Sequence, residues 1–251
     1  MPESRRHLVL RTILFQLLFD ELTPGATVGS DQFVYWNAAD PRRCLAPDAL
    51  VRLGVPDATF DAWKTWERGA PDVGVEIASE SDASERAVSE KLARYHEAGF
   101  REVVRFDPDA VDARRLRVWD RVDDDLVERR TDPGSPVASL PLGLFWVVAP
   151  ADDQPRALRL ARDAAGSELV PTRREAEFAQ AEGRRVEAEG RRVEAEGRRA
   201  EAEGRRAEAE GRRVEAEGRR VEAEGRRAEA DGRAAAERRV AELEAELARR
   251  G

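Results

Sequence analysis

Apolar side chains recur at Leu10, Ile13, Leu14, Leu17 and Leu18, the spacing of one helical face, within a stretch from His7 to Leu22 that Pro24 and Gly25 bring to an end. That face predicts a helix packed on a sheet. Gln32 to Trp36 and Ala49 to Val55 then read as short strands, the second preceded by the dipeptide Pro47-Asp48. Val73 to Ser79 carries the clearest period of two. Val73, Val75 and Ile77 share one face, while Gly74, Glu76 and Ala78 share the other, so a single carboxylate among small residues is turned toward a cleft or a helix. From Ser84 to Ala98 the period returns to helical, through Ala87, Val88, Lys91, Leu92, Tyr95 and Ala98, with Gly99 placed to close the helix. Glu102 to Asp107, Leu116 to Trp119, Leu142 to Ala149 and Ala157 to Arg162 supply further sheet material. The order of elements implies an α/β fold with a mixed sheet flanked by helices.

The pattern changes near residue 173. All five Trp, both Tyr and seven of the eight Phe precede that point, so residues 1–172 are expected to form the one globular domain. From Gly183 the unit Gly-Arg-Arg-Val/Ala-Glu-Ala-Glu recurs every seven residues, and Thr172 with Glu175 makes a capping box at the start of a long helix. Opposite charges four residues apart contribute a few tenths of a kcal/mol per pair, and each glycine costs roughly 1 kcal/mol relative to alanine, so the two about balance. Glycine, valine and alanine form a thin seam, and Val240, Leu243 and Leu247 offer a better one at the end. Residues 173–251 are therefore expected to be a charged heptad-repeat helix. A solvated single helix and a coiled coil that joins two copies of the chain are both consistent with the pattern.

Cys44 is the only cysteine, which excludes an intrachain disulfide or thiolate cluster and suits a reducing, cytoplasmic setting. Arg5 and Arg6 precede an apolar stretch, but Arg11 and Gln16 interrupt it, and it reads as the first helix rather than a leader. No run of eighteen apolar residues predicts a membrane span. A net charge of −8 argues against a tight electrostatic DNA binder. It leaves room for an enzyme that meets phosphodiesters through a metal ion, because the cation supplies the missing positive charge.

Candidate chemistry follows from three residues in order: Asp48 at the mouth of one strand, Glu76 inside the next strong one, and Lys91 on the helix after it. Two carboxylates on adjacent strands can hold a hard dication, and a nearby ammonium can orient water and offset developing charge. Lys91 and Lys64 are the only lysines among 43 basic residues. Each residue also has a plain structural reading: Asp48 as a turn residue, Glu76 as an edge carboxylate, Lys91 as a packed stem with its head in water. Asp72, in a second Pro-Asp pair, competes with Asp48, but four residues along a strand separate it from Glu76 by about 13 Å. His7 and His96 are the only histidines, and His96 is expected to be exposed; neither is expected to be catalytic. No Gly-rich phosphate loop or Gly-x-Ser-x-Gly elbow occurs.

Pro47-Asp48, Val75-Glu76-Ile77-Ala78-Ser79, Lys91 with Tyr95, Gly99 and Asp107-Pro108 together resemble the Uma2 family, described as restriction endonuclease-like proteins of the PD-(D/E)xK nuclease superfamily. In that family the lysine has migrated from the strand to the following helix. Ala78 stands at the ordinary lysine place here, and Lys91 matches the migrated one. The likeness continues through Leu142-Gly143-Leu144, Leu158-Arg159-Leu160, Gly166 and Pro171-Thr172, and spans most of residues 7–175. It implies a restriction-endonuclease-like sheet, Asp48 and Glu76 as metal ligands, the Ile77 carbonyl as a third, and Lys91 as base or electrostatic helper. It also implies Mg²⁺, with Mn²⁺ as the alternative, and DNA as substrate. Two departures stand out: Asp72 falls where an apolar residue is expected, and only Asp20 and Glu21 are candidates for a carboxylate on the first helix. The rival expectation is a noncatalytic nuclease-fold protein whose repeated helix mediates association.

Overall fold

The computed structural model describes residues 4–79, 84–111 and 114–250. They divide into two compact units, residues 1–180 and 181–251. The first unit opens with helix α1 (Arg5–Leu22), N-capped by the Ser4 hydroxyl, which accepts the His7 N–H at 3.2 Å. Its stripe Leu10, Ile13, Leu14, Leu17 and Leu18 is buried as the periodicity predicts. Each such side chain contributes about 2 kcal/mol of burial free energy.

A six-stranded sheet lies beneath this helix. Its order is β1 (Ala26–Gly29), β4 (Ala49–Leu53), β6 (Val73–Ile77), β7 (Glu102–Phe106), β8 (Leu116–Val122) and β9 (Asp125–Glu128). Only β6 and β7 run parallel, because helix α3 (Glu85–Ala98) carries the chain back between them. The alternation in β6 sorts the layers. Val73, Val75 and Ile77 join the core under α1, whereas Gly74 and Glu76 face α3, whose Val88, Tyr95 and Ala98 form a second core with Leu50, Phe100, Val103 and Trp119.

Two smaller sheets complete the unit. β2 (Val34–Tyr35) lies between β3 (Cys44–Leu45) and β5 (Trp63–Lys64), just before the single turn α2 (Thr65–Arg68). β10 (Val137–Ser139), β11 (Leu144–Ala151) and β12 (Gln154–Ala161) form an antiparallel sheet whose Trp146, Leu158 and Leu160 pack into the α1 core. The strand expected over Gln32–Trp36 is cut to two residues. Asn37 turns the chain there by accepting the Ala39 N–H on its side-chain oxygen at 2.9 Å. β1 has no counterpart among the expected strands, since Ala-Thr-Val-Gly is too short and small to announce itself.

Helix α4 (Arg173–Arg250) starts in the first unit. The expected capping box is formed: Thr172 N–H donates to Glu175 at 2.9 Å, and Glu175 N–H donates to the Thr172 hydroxyl at 3.2 Å. Buried Arg159 holds the same Glu175 carboxylate at 2.6 and 3.0 Å. Within the second unit the helix carries ion pairs such as Arg192–Glu196 at 3.1 Å and Glu187–Arg191 at 3.7 Å. Its Val186, Val193, Val214, Val221, Val240, Leu243 and Leu247 are exposed. Among the described residues, no helix is long and apolar enough to cross a membrane.

Candidate active site

Of the three residues singled out from the sequence, Asp48 and Glu76 come from adjacent strands where β4 begins and β6 ends, and Lys91 pairs with Glu76 from α3. Asp48 is anchored by its own backbone, for the Ser30 hydroxyl donates to its carbonyl at 2.8 Å and Asp31 N–H donates to the Pro47 carbonyl at 2.9 Å. In the antiparallel register Ala49 faces Val75, so one step further places Asp48 across from Glu76. Asp48 Oδ2 accepts the Ile77 N–H at 2.7 Å, a bond between strands that fixes the carboxylate at the sheet rim.

Glu76 points to the α3 side and is 7% exposed. Lys91 Nζ donates to its Oε2 at 2.5 Å and the Tyr95 hydroxyl to its Oε1. Lys91 and Tyr95 are four apart on α3, one turn of the same face. The short reach of Tyr95 depends on Gly74: a Cβ there would fall 2.5 Å from the Tyr95 ring and 2.8 Å from Phe100. With glycine, the phenol ring lies against the strand and its hydroxyl meets the carboxylate two residues on. Burial pushes the Glu76 carboxyl up to about 7, the Lys91 charge opposes that rise, and the Asp48 charge adds to it. A carboxylate in this condition gains from any further cation placed beside it.

Beside this cluster opens a cleft of about 400 Å³, lined by Ala78, Ser79, Arg105, Asp107, Arg114 and Arg117 among others. Arg105 is paired with Glu76 in the β6–β7 register. Arg117 is held by Glu85 and Glu128 and lies over the Trp119 ring at 4.8 Å.

The structure brings one further residue to this rim. His7, in the first turn of α1, sends Nε2 to within 3.0 Å of the Ile77 carbonyl oxygen and 3.3 Å of Asp48 Oδ2. A signal was present: His7, Leu10, Leu14 and Leu17 share one helical stripe, so the imidazole extends the buried face toward the sheet rim. His96 is elsewhere, bonded to the Asp124 carbonyl. Asp20 and Glu21, the candidates for a first-helix carboxylate, lie at the opposite end of α1 and bind Arg173 and Arg162 at 2.5 to 3.0 Å. A helix rising about 1.5 Å per residue keeps them about 20 Å from His7. Asp72 is structural, buried and clamped by Arg52, Arg101 and the Leu53 N–H.

Among the described residues, no three His, Cys, Asp or Glu side chains are gathered into a ready metal cage, because Glu76 is turned to Lys91 and Tyr95. The donor set nonetheless suits a hard dication. Asp48 Oδ2 and the Ile77 carbonyl, oxygens of the kind such ions prefer, lie 3.3 and 3.0 Å from His7 Nε2. Glu76 lies across the strand pair from Asp48.

Residues 1–154 match the family described as "Uma2: Putative restriction endonuclease". One similar solved structure is described as "a putative nuclease belonging to DUF820" from Anabaena variabilis, with 17% identity, coverage of 57% of this chain and 75% of that one, and a TM-score of 0.41. No curated protein matches the chain.

Proposed function

Because this chain belongs to the Uma2 family, we propose that residues 1–172 form a metal-dependent endonuclease domain that hydrolyses DNA phosphodiester bonds, with residues 173–251 an appended helix. The observation that carries the reading is the meeting of Asp48, Glu76, Ile77 and Lys91 at one sheet rim beside an arginine-bearing cleft. Asp48, Glu76 and the Ile77 carbonyl would hold the ion, Mg²⁺ or Mn²⁺, which when bound supplies polarisation of the phosphoryl oxygen and an activated water. Lys91 keeps an ammonium proton at the edge of the site, where it can orient a water and offset charge on the phosphorane-like transition state. Tyr95 steadies the Glu76 carboxylate while Lys91 serves the substrate. Arg105, Arg114 and Arg117 offer charge-assisted contacts to flanking phosphates. Glu85, Asp107 and Asp109 line the same cleft and cancel those charges in number, so net attraction of DNA depends on the bound cation. Such an enzyme belongs in the cytoplasm, with its DNA substrate and its lone unpaired cysteine.

Purified protein incubated with supercoiled plasmid and Mg²⁺ or Mn²⁺ should nick it, and Asp48→Ala, Glu76→Ala and Lys91→Ala should each lose that activity. Equal nicking by all four proteins overturns the assignment. One observation favours a second role for the tail: its exposed Val186, Val193, Val214 and Val221 recur at multiples of seven residues, followed one position out of phase by Val240, Leu243 and Leu247, a seam suited to pairing two copies of the chain. Sedimentation of the full chain beside residues 1–180 distinguishes a helix-dependent dimer from two monomers.

A further inference from the structure

The short distances around His7 have a coordination meaning. In an octahedral site with metal–ligand bonds of about 2.1 Å, neighbouring donors stand about 3.0 Å apart. His7 Nε2 lies 3.0 Å from the Ile77 carbonyl oxygen and 3.3 Å from Asp48 Oδ2, which matches two edges of one such face. The imidazole nitrogen thus stands at ligand-to-ligand spacing from both a carboxylate oxygen and a carbonyl oxygen. The imidazole is also held in place: its side chain is 17% exposed, and Ser4 caps the turn that carries it.

We propose that His7 is itself a metal ligand through Nε2, and that this nitrogen makes the site select a first-row transition dication, Mn²⁺ in the first instance, over Mg²⁺. The inference rests on the metal-site reading above and deepens it. Imidazole is a borderline donor that binds transition ions well, whereas Mg²⁺ prefers oxygen and retains its waters. Replacing His7 therefore costs Mn²⁺ a ligand, while Mg²⁺ substitutes a water at little loss. The position of His7 also accounts for the lack of a first-helix carboxylate at the site: α1 contributes a nitrogen donor where an acidic residue was sought at Asp20 and Glu21.

The test is calorimetric titration of the full chain, without DNA, with MnCl₂ and separately with MgCl₂. The proteins compared are the unaltered chain, His7→Ala, His7→Gln and Asp48→Ala, each checked by circular dichroism. His7→Gln retains a group able to hydrogen-bond the Ile77 carbonyl, so it covers the case in which the alanine variant misfolds. The expected result is tighter binding of Mn²⁺ than Mg²⁺ by the unaltered chain, and a loss of roughly tenfold or more in Mn²⁺ affinity in both His7 variants. Mg²⁺ affinity should change by less than about twofold in those variants. If both His7 variants bind Mn²⁺ like the unaltered chain while Asp48→Ala does not, the ligand role of His7 is overturned and the metal site stands. If the unaltered chain takes up neither ion, the metal-site reading falls along with the proposal.

Discussion

Two glutamates, one at each end of the α3 crossover, are buried in this molecule, and they have opposite company. Glu76 of β6 meets an ammonium, a phenol and a neighbouring carboxylate at the sheet rim. Glu102 of β7 is fully buried and receives the Ser139 hydroxyl at 2.6 Å, the Trp146 indole N–H at 3.0 Å and the Leu140 N–H at 3.2 Å, with Arg129 at 3.7 Å. Burial pushes both carboxyls up. Burial alone therefore does not mark a site. Glu102 is satisfied by donors that come with the β10–β11 sheet, so it fastens one sheet to another, while Glu76 is held by groups that border a cleft and can be reassigned to an ion or a substrate.

The sharpest way to test that contrast is to remove each side chain. Glu76→Ala is expected to lower plasmid nicking by roughly a hundredfold or more while leaving urea unfolding little changed. Glu102→Ala is expected to retain activity under stabilising conditions but to lose about 3 kcal/mol of stability, since it strands the buried Ser139 and Trp146 donors, the Leu140 N–H and Arg129. Comparable loss of activity by both, with comparable stability, would dissolve the distinction.

A smaller effect should separate them in pH. For a carboxyl raised on folding, the native state holds its proton longer than the unfolded chain, so stability falls as pH rises from the unfolded value toward the folded one. For Glu76 that window runs from 4.5 to about 7 in metal-free protein. Denaturant midpoints measured with a chelator across it should decline with pH, and Glu76→Gln should flatten the decline. An unchanged slope in that variant would mean that Glu76 titrates normally.

The smallest expected effects come from single partners. Tyr95→Phe leaves Lys91 on Glu76 and should reduce nicking severalfold, whereas Ser139→Ala should cost about 1 kcal/mol of stability with activity intact. Exchange of these two outcomes would reverse the roles assigned to the two carboxylates.

Much of this is legible in the sequence. The period-two run Val73 to Ile77 placed Glu76 opposite the core face under α1, and the helical spacing of Lys91 and Tyr95 placed both on the stripe that faces it. Asp72, which strand geometry sets apart from Glu76, is held by Arg52, Arg101 and the Leu53 N–H, and the Thr172–Glu175 box forms as expected. Glu102 was not singled out, because a carboxylate at a strand terminus has the local pattern of a solvated residue. Only the docking of β10 and β11 buries it. His7 was passed over for a related reason. The helical stripe it shares with Leu10, Leu14 and Leu17 turns it toward the sheet, but its place at the rim also depends on where α1 crosses β6, a contact between residues 70 apart.

Gly74 links the sheet to the chemistry by what it lacks. Since a methyl group there would collide with the Tyr95 ring, positions 74 and 95 are not free to vary separately. Any larger residue at 74 calls for room at Phe100 and for a smaller residue at 95 on α3, and the smaller one forfeits the hydroxyl that steadies Glu76. Substitutions at the two positions should therefore combine non-additively, although one of them bears no functional group at all.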